Sequence, residues 1–126
     1  MALRNLAPPR TDVAIWRGDG FPFDVVVTNS DTGAAYPLTG HTIWCTFKRQ
    51  LSDLDSAAVW QGTASGGAIT ITGNTARVVV PGSAFVLLTE PTTLYFDVQI
   101  QAPGGQPQTV VWGTALIQLD VTRATT

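Results

Sequence analysis

Apolar and polar residues alternate along several short stretches of the chain, beginning near residue 12. The longest alternating stretches are residues 21–28, 42–48 and 93–100. A period of two places successive side chains on opposite faces, which is typical of a β-strand with one buried face. Shorter apolar runs predict further strands at residues 13–16, 57–61, 68–72 and 76–80, and a last, long strand is predicted at residues 109–121.

Turn-forming residues separate these runs. Gly66-Gly67, Gly73-Asn74 and the segment 103–107 each interrupt the pattern with residues that favour turns. The one helix candidate is a segment of about two turns at residues 83–89, which Ser83 could cap and Pro91 would end. Short strands at a spacing of roughly 8–12 residues predict an all-β, antiparallel sandwich with one short helical turn.

The strand pattern occupies residues 12–123 and predicts a single domain. Residues 1–11 precede it and include Pro8 and Pro9, which favour an extended N-terminal arm without strand pairing in its own sheet. We expect this arm to lie on a neighbouring subunit, and residues 124–126 to form a C-terminal tail. Because the N-terminus lacks the apolar stretch of a signal peptide, we expect synthesis in the cytoplasm.

Charge is sparse in this chain. Only 13% of the residues are charged, and seven basic against nine acidic residues give a net charge of −2. This balance argues against a nucleic-acid-binding surface, which needs a basic patch. No apolar run reaches the roughly 20 residues that span a bilayer, so we expect no membrane partner either. A weakly charged surface fits a subunit of a larger assembly or homo-oligomer, and fits a neutral Thr- and Gln-rich surface equally well.

Candidate chemistry is scarce as well. The single His41 and single Cys45 exclude a Cys/His zinc site, and Cys45 falls on an apolar strand face where a thiol is inert. Asp53 and Asp55 have the alternate spacing of calcium loops but lack the glycine and glutamate of an EF-hand. No G-x-S-x-G elbow is present. We therefore expect no enzyme and no catalytic, cofactor or metal site.

A set of motifs occurs in a fixed order over about nine-tenths of the chain. The set comprises Arg17-Gly-Asp-Gly-Phe-Pro-Phe, Asp31-Thr32-Gly33, the segment from Pro37-Leu38-Thr39-Gly40 to Ile43, Leu94-Tyr95-Phe96-Asp97-Val98-Gln99, and the closing stretch from Trp112-Gly113-Thr114 to Asp120-Val121-Thr122-Arg123.

In these motifs the chain resembles a family of small bacteriophage virion proteins akin to the N-terminal module of upper baseplate proteins. Pro37 stands where that family has an acidic residue. The resemblance implies an immunoglobulin-like β-sandwich in the virion, acting as a tail, baseplate or tail-fibre adaptor that docks other phage structural proteins. A capsid decoration (cement) protein is the alternative within the same class.

An immunoglobulin-like arrangement would place three of the predicted strands in one sheet. Ile43, Cys45 and Phe47 would then face the core, together with Leu94, Phe96 and Val98. In the last strand, the set of Val111, Gly113, Ala115, Ile117 and Leu119 suits the core better than the intervening residues.

The opposite parity predicts an aromatic cluster of Trp44, Tyr95 and Trp112 on the exposed face. Exposed aromatic residues among Thr and Gln are typical of a protein–protein contact, so we predict a partner interface formed by this cluster. Residues of the arm complete the predicted interface, namely Pro8, Pro9 and Arg10. A carbohydrate-binding module is the competing interpretation, although the sequence shows no set of Asp, Asn and Arg beside the aromatic residues.

Overall fold

The computed structural model describes residues 10–29 and 31–119, so Pro8, Pro9 and the predicted tail at 124–126 lie outside the described residues. The described residues form eight strands and two single 3₁₀ turns, at Asp55–Ala57 and Gly82–Phe85. The strands are β1 (Val13–Trp16), β2 (Phe21–Val26), β3 (Thr42–Lys48), β4 (Trp60–Thr63), β5 (Ile69–Thr72), β6 (Thr75–Val80), β7 (Thr92–Gln101) and β8 (Gln108–Gln118).

The strands form two sheets with the connectivity of an immunoglobulin-like sandwich. The larger sheet has the order β1-β8-β7-β3-β4, and the smaller has the order β2-β6-β5. This is the division into two sheets that characterises immunoglobulin domains, so the predicted all-β fold class is confirmed. One strand pair departs from the antiparallel pattern, because β1 pairs in parallel with β8 in a register that joins Val13 to Ala115.

The core fills the space between the two sheets. Ile43, Cys45 and Phe47 on β3 are fully buried, as the alternation predicts. The smaller sheet contributes Ala76, Val78 and Val80 from β6, which the same period of two turns inward. Four aromatic rings meet at the centre of the core, and these are Phe47, Trp60, Phe85 and Phe96.

The N-terminal arm is partly integrated into the sheet, contrary to the prediction that it could not pair there. Arg10 forms a parallel bridge with Trp112, and the Thr11 amide donates a hydrogen bond to the Trp112 carbonyl (2.8 Å). Gly113 makes this pairing possible, because a Cβ at that position would collide with the Thr11 carbonyl. The Asp12 carboxylate then accepts hydrogen bonds from the Thr114 amide and hydroxyl, each at 3.0 Å.

Two local predictions are corrected by the structure. The predicted helix at residues 83–89 is a 3₁₀ turn at Gly82–Phe85 without a side-chain cap. Phe85 and Leu88 anchor this segment in the core, where both are buried. The pairing of β8 with β7 contains a bulge. Val111 pairs with Val98 and Thr109 pairs with the next residue, Gln99, so Val110 is left without a partner on β7. This β-bulge turns Val110 inward and leaves Val111 only half-buried.

Candidate functional site

The outer face of the five-stranded sheet carries the residues predicted to form the partner interface. Cross-strand register aligns one row of four side chains over β8, β7, β3 and β4, which are Trp112, Asp97, Thr46 and Gln61. Residues paired across neighbouring strands share a face, so this row points away from the core. The Gln61 amide Nε2 lies over β3 and donates a hydrogen bond to the Thr46 hydroxyl at 3.0 Å.

Two further rows flank the first and bring the other aromatic residues to it. One contains Gln99, Trp44 and Thr63, and the other contains Thr114, Tyr95 and Lys48. The exposed fractions are 37% for Tyr95 and 39% for Trp112, and Trp44 is half-buried. The predicted placement of all three aromatic side chains on the outer face is therefore what the structure has.

Together these rows line an open groove of about 450 Å³, which we call the aromatic groove. Its aromatic members on the outer face are Trp44, Tyr95 and Trp112, and the core residue Phe96 also borders it. Its main polar members are Thr46, Lys48, Gln61, Asp97, Gln99 and Gln101. Leu51 and Asp55, from the loop between β3 and β4, border it on the side of Lys48. A concave site with large rings and a few convergent polar groups is the usual form of a binding site.

Asp97 is the acidic residue in the middle row of this groove. Its carboxylate is half-buried and accepts a hydrogen bond from the Gln99 amide Nε2 at 3.2 Å. Desolvation raises the pKa of Asp97 above its ordinary value; the Gln99 hydrogen bond and the Lys48 charge oppose this shift. A partly desolvated carboxylate in a concave surface marks a candidate binding residue.

Lys48 is engaged with the neighbouring loop. Its ammonium lies 2.8 Å from Asp55 Oδ1 and donates a hydrogen bond to the Asp53 carbonyl, also at 2.8 Å. Asp53 and Asp55, whose alternate spacing resembled a calcium loop, thus hold the Lys48 ammonium at the groove edge through the Asp53 carbonyl and the Asp55 carboxylate. Across residues 10–29 and 31–119, no cluster of three or more His, Cys, Asp or Glu residues is arranged to hold a metal ion.

Of the three arm residues predicted to belong to the interface, the structure describes Arg10. Its guanidinium carbon lies 4.9 Å from the centre of the Trp112 ring, and its Nε is 3.1 Å from Asp12 Oδ1. The pKa of Asp12 is lowered, chiefly by the hydrogen bond from the Thr114 amide and further by those from Arg10 and the Thr114 hydroxyl and by the Arg10 charge. Arg10 therefore borders the predicted interface from within its own chain.

The two other candidate reactive side chains have structural surroundings. Cys45 is fully buried between the sheets, and desolvation strongly raises the pKa of its thiol. His41 packs edge-to-face against Tyr36, with ring centres 5.4 Å apart, and its Nε2 is 3.3 Å from the Tyr36 hydroxyl. Neither residue faces the aromatic groove.

Sequence reasoning missed most of the polar lining of the groove. The period of two places Asp97 beside Tyr95 on one face, but Gln61 reaches the groove only because β4 pairs with β3 in the observed register. The predicted fourth strand at 57–61 gave no such register, since the observed strand is Trp60–Thr63. Long-range pairing of this kind leaves no local signal in the sequence.

Comparisons with known proteins give distant structural similarities. No protein-family model matches the chain, and no curated protein matches it. It is similar to the 2,6-sialyltransferase of Photobacterium sp. JT-ISH-224, with a TM-score of 0.39 and 14% identity over 90% of this chain and 19% of that one. This chain thus spans about a fifth of the sialyltransferase.

Two further similarities are to animal proteins. Murine CRIg matches with a TM-score of 0.33 and 11% identity, over 90% of this chain and 93% of that one. Extracellular domains 3–5 of Drosophila OTK match with a TM-score of 0.28 and 10% identity, over 88% and 33% respectively. The strand order itself, and not these similarities, defines the fold.

In the described part of the chain, none of the helices is long and apolar enough to span a bilayer.

Proposed function

We propose that this chain is a non-enzymatic structural protein of a bacteriophage virion, a tail, baseplate or tail-fibre adaptor that docks other subunits. The observation that supports this most is the aromatic groove, which brings Trp44, Tyr95 and Trp112 together on an outer sheet face. The ordered motifs, which resemble those of small virion proteins, are the reason for proposing a virion. In this proposal the chain also meets copies of itself within the particle, after assembly in the host cytoplasm.

The composition of the groove suits a protein contact. Trp, Tyr and Arg dominate the binding energy of interfaces, and they act best at the centre of a patch from which water is excluded. Here Trp44 and Trp112 lie on opposite sides of β7, so a docked surface would cover both rings. Charge is sparse along the chain as a whole. Within the groove Lys48 pairs with Asp55, and Asp97 is the charged group that a docked partner has to compensate.

The test is incorporation of tryptophan variants into particles. Trp44→Ala and Trp112→Ala are each expected to fold and to fail to join particles, because loss of one central aromatic costs about 2 kcal/mol or more of binding. Trp16→Ala is the matched control, since Trp16 is 46% exposed on the same sheet and does not line the groove. Melting curves of all three variants separate a loss of docking from a loss of folding. Normal incorporation of all three would refute docking through this face.

The position in the particle distinguishes the two structural roles. Electron cryo-microscopy of particles carrying a tagged copy is expected to show the tag on the tail or baseplate. Labelling distributed over the head would instead identify a capsid decoration protein.

A second candidate function is recognition of host-surface carbohydrate. The observation that favours it is the amide side chains of Gln61, Gln99 and Gln101 beside the aromatic rings, because an amide both donates and accepts hydrogen bonds, as sugar hydroxyls do. A glycan array probed with the purified chain tests this role. Binding that Trp44→Ala abolishes would support it, and an array without binding would refute it.

A further inference from the structure

The carboxylate of Asp97 carries a charge that the described part of the chain does not neutralise. Its one described hydrogen bond comes from the neutral Gln99 amide, and within residues 10–29 and 31–119 it forms no ion pair. The positive charge of Lys48 acts on Asp97, but the Lys48 ammonium is held by Asp55 and by the Asp53 carbonyl. A partly desolvated charge without a counter-ion is unfavourable, and a partner that supplies one would remove that cost.

The aromatic rings around Asp97 favour the same kind of ligand. The faces of Trp and Tyr rings carry partial negative charge and attract cations. Trp112 is paired directly with Asp97 across β7 and β8, and Tyr95 and Trp44 lie in the adjacent rows. The Arg10 guanidinium already lies over the Trp112 ring, 4.9 Å from its centre, so a cation supplied by a partner would meet Trp44 and Tyr95 together with Asp97.

We propose that the aromatic groove receives an arginine side chain of the docked subunit, with its guanidinium on the Asp97 carboxylate and against the surrounding rings. The inference rests on the proposed docking function and specifies its central contact. A cation complements both the carboxylate and the rings, whereas a neutral ligand complements the hydrogen-bonding groups alone. Arginine fits better than lysine because its planar group can stack on a ring and bind a carboxylate through two N–H donors.

The first experiment measures the contact with small probes. Isotope-labelled protein is titrated with N-acetyl-arginine methylamide, its lysine counterpart and the uncharged N-acetyl-citrulline methylamide, and NMR shifts of the Trp44 and Trp112 indole groups are followed. The arginine probe is expected to bind more tightly than the other two and to weaken with added salt. Equal binding of arginine and citrulline would overturn the proposal.

Two variants locate the contact on Asp97. Asp97→Asn keeps the shape of the side chain and removes its charge, and is expected to weaken the arginine probe by about tenfold. Asp24→Asn is the matched control, because Asp24 is an exposed carboxylate on the other sheet, 3.3 Å from Arg77. An unchanged affinity in Asp97→Asn would overturn the proposal.

Particle incorporation separates this proposal from the docking function on which it rests. Loss of incorporation in both Trp44→Ala and Asp97→Asn is the expected result. If Trp44→Ala is excluded from particles while Asp97→Asn joins them normally, docking stands and the arginine contact is refuted. If both variants join normally, docking through this face is refuted as well. Salt-insensitive binding of a neutral oligosaccharide that survives Asp97→Asn would also overturn the arginine contact.

Discussion

Replacing Phe47 by alanine is expected to remove a large part of the stability of the fold. Phe47 has no exposed surface and lies where the two sheets meet. Its ring is stacked on Phe96 with centres 5.2 Å apart, and the rings of Phe85 and Trp60 lie at 5.3 and 6.0 Å. Truncation therefore leaves a space that three large side chains already border.

The magnitude follows from two contributions. Burial of a phenylalanine side chain contributes about 1.5–3 kcal/mol by transfer from water. Removal of the ring leaves a space of about 100 Å³, which at roughly 24 cal/mol per Å³ adds about 2.4 kcal/mol if nothing relaxes. Partial collapse of the neighbouring rings reduces the total, so we expect a loss of about 3–5 kcal/mol. That is a large fraction of the roughly 5–15 kcal/mol typical of a domain.

Urea unfolding followed by tryptophan fluorescence measures the effect as a shift of midpoint at constant slope. Phe47→Leu fills much of the space and is expected to lose about 1–2 kcal/mol, which keeps the experiment informative if the alanine variant does not fold. Leu87→Ala is the control, since Leu87 is 88% exposed and its loss should change stability by less than about 0.5 kcal/mol. A change below about 1 kcal/mol in Phe47→Ala would refute the central role of this ring.

Two further predictions concern the contact of Thr11 with β8 and the groove residue Asp97. Gly113→Ala is expected to cost about 1–3 kcal/mol in urea unfolding because its Cβ would collide with the Thr11 carbonyl, whereas Gly20→Ala, whose nearest contact would be 3.8 Å away, should change little. Burial raises the pKa of Asp97 in the folded state above its ordinary value of 3.8. Ionisation of Asp97 therefore costs more in the folded than in the unfolded chain, and stability falls as the pH rises from 3.8 through the raised pKa. Asp97→Asn should therefore match the parent below about pH 3 and gain stability over it towards neutral pH, and a difference that does not change with pH would contradict this account.

Features set by neighbouring residues could be predicted from the sequence, whereas features set by pairing between distant segments could not. The alternation that buries Cys45 and turns the half-buried Trp44 to the outer face involves neighbouring residues on one strand, and the structure has the predicted faces. The bulge at Val110 breaks this period by one residue and could not be read from a uniform apolar run. Gln61 joined the groove through the pairing of β4 with β3, which depends on how two distant segments align. The parallel pairing of β1 was missed for the same reason.

The pairing of β1 with β8 also determines the order in which the protein can fold. The first described strand finds its partner only in the last one, in the register that joins Val13 to Ala115. Until β8 has left the ribosome, β1 has no partner in its sheet, and β7 presents an open edge bearing Leu94 and Phe96. Contacts so distant in sequence slow folding, and unpaired apolar edges favour aggregation. The larger sheet is thus completed only once β8 has been synthesised, and a chain cut before β8 would leave two strands competing for partners on other molecules.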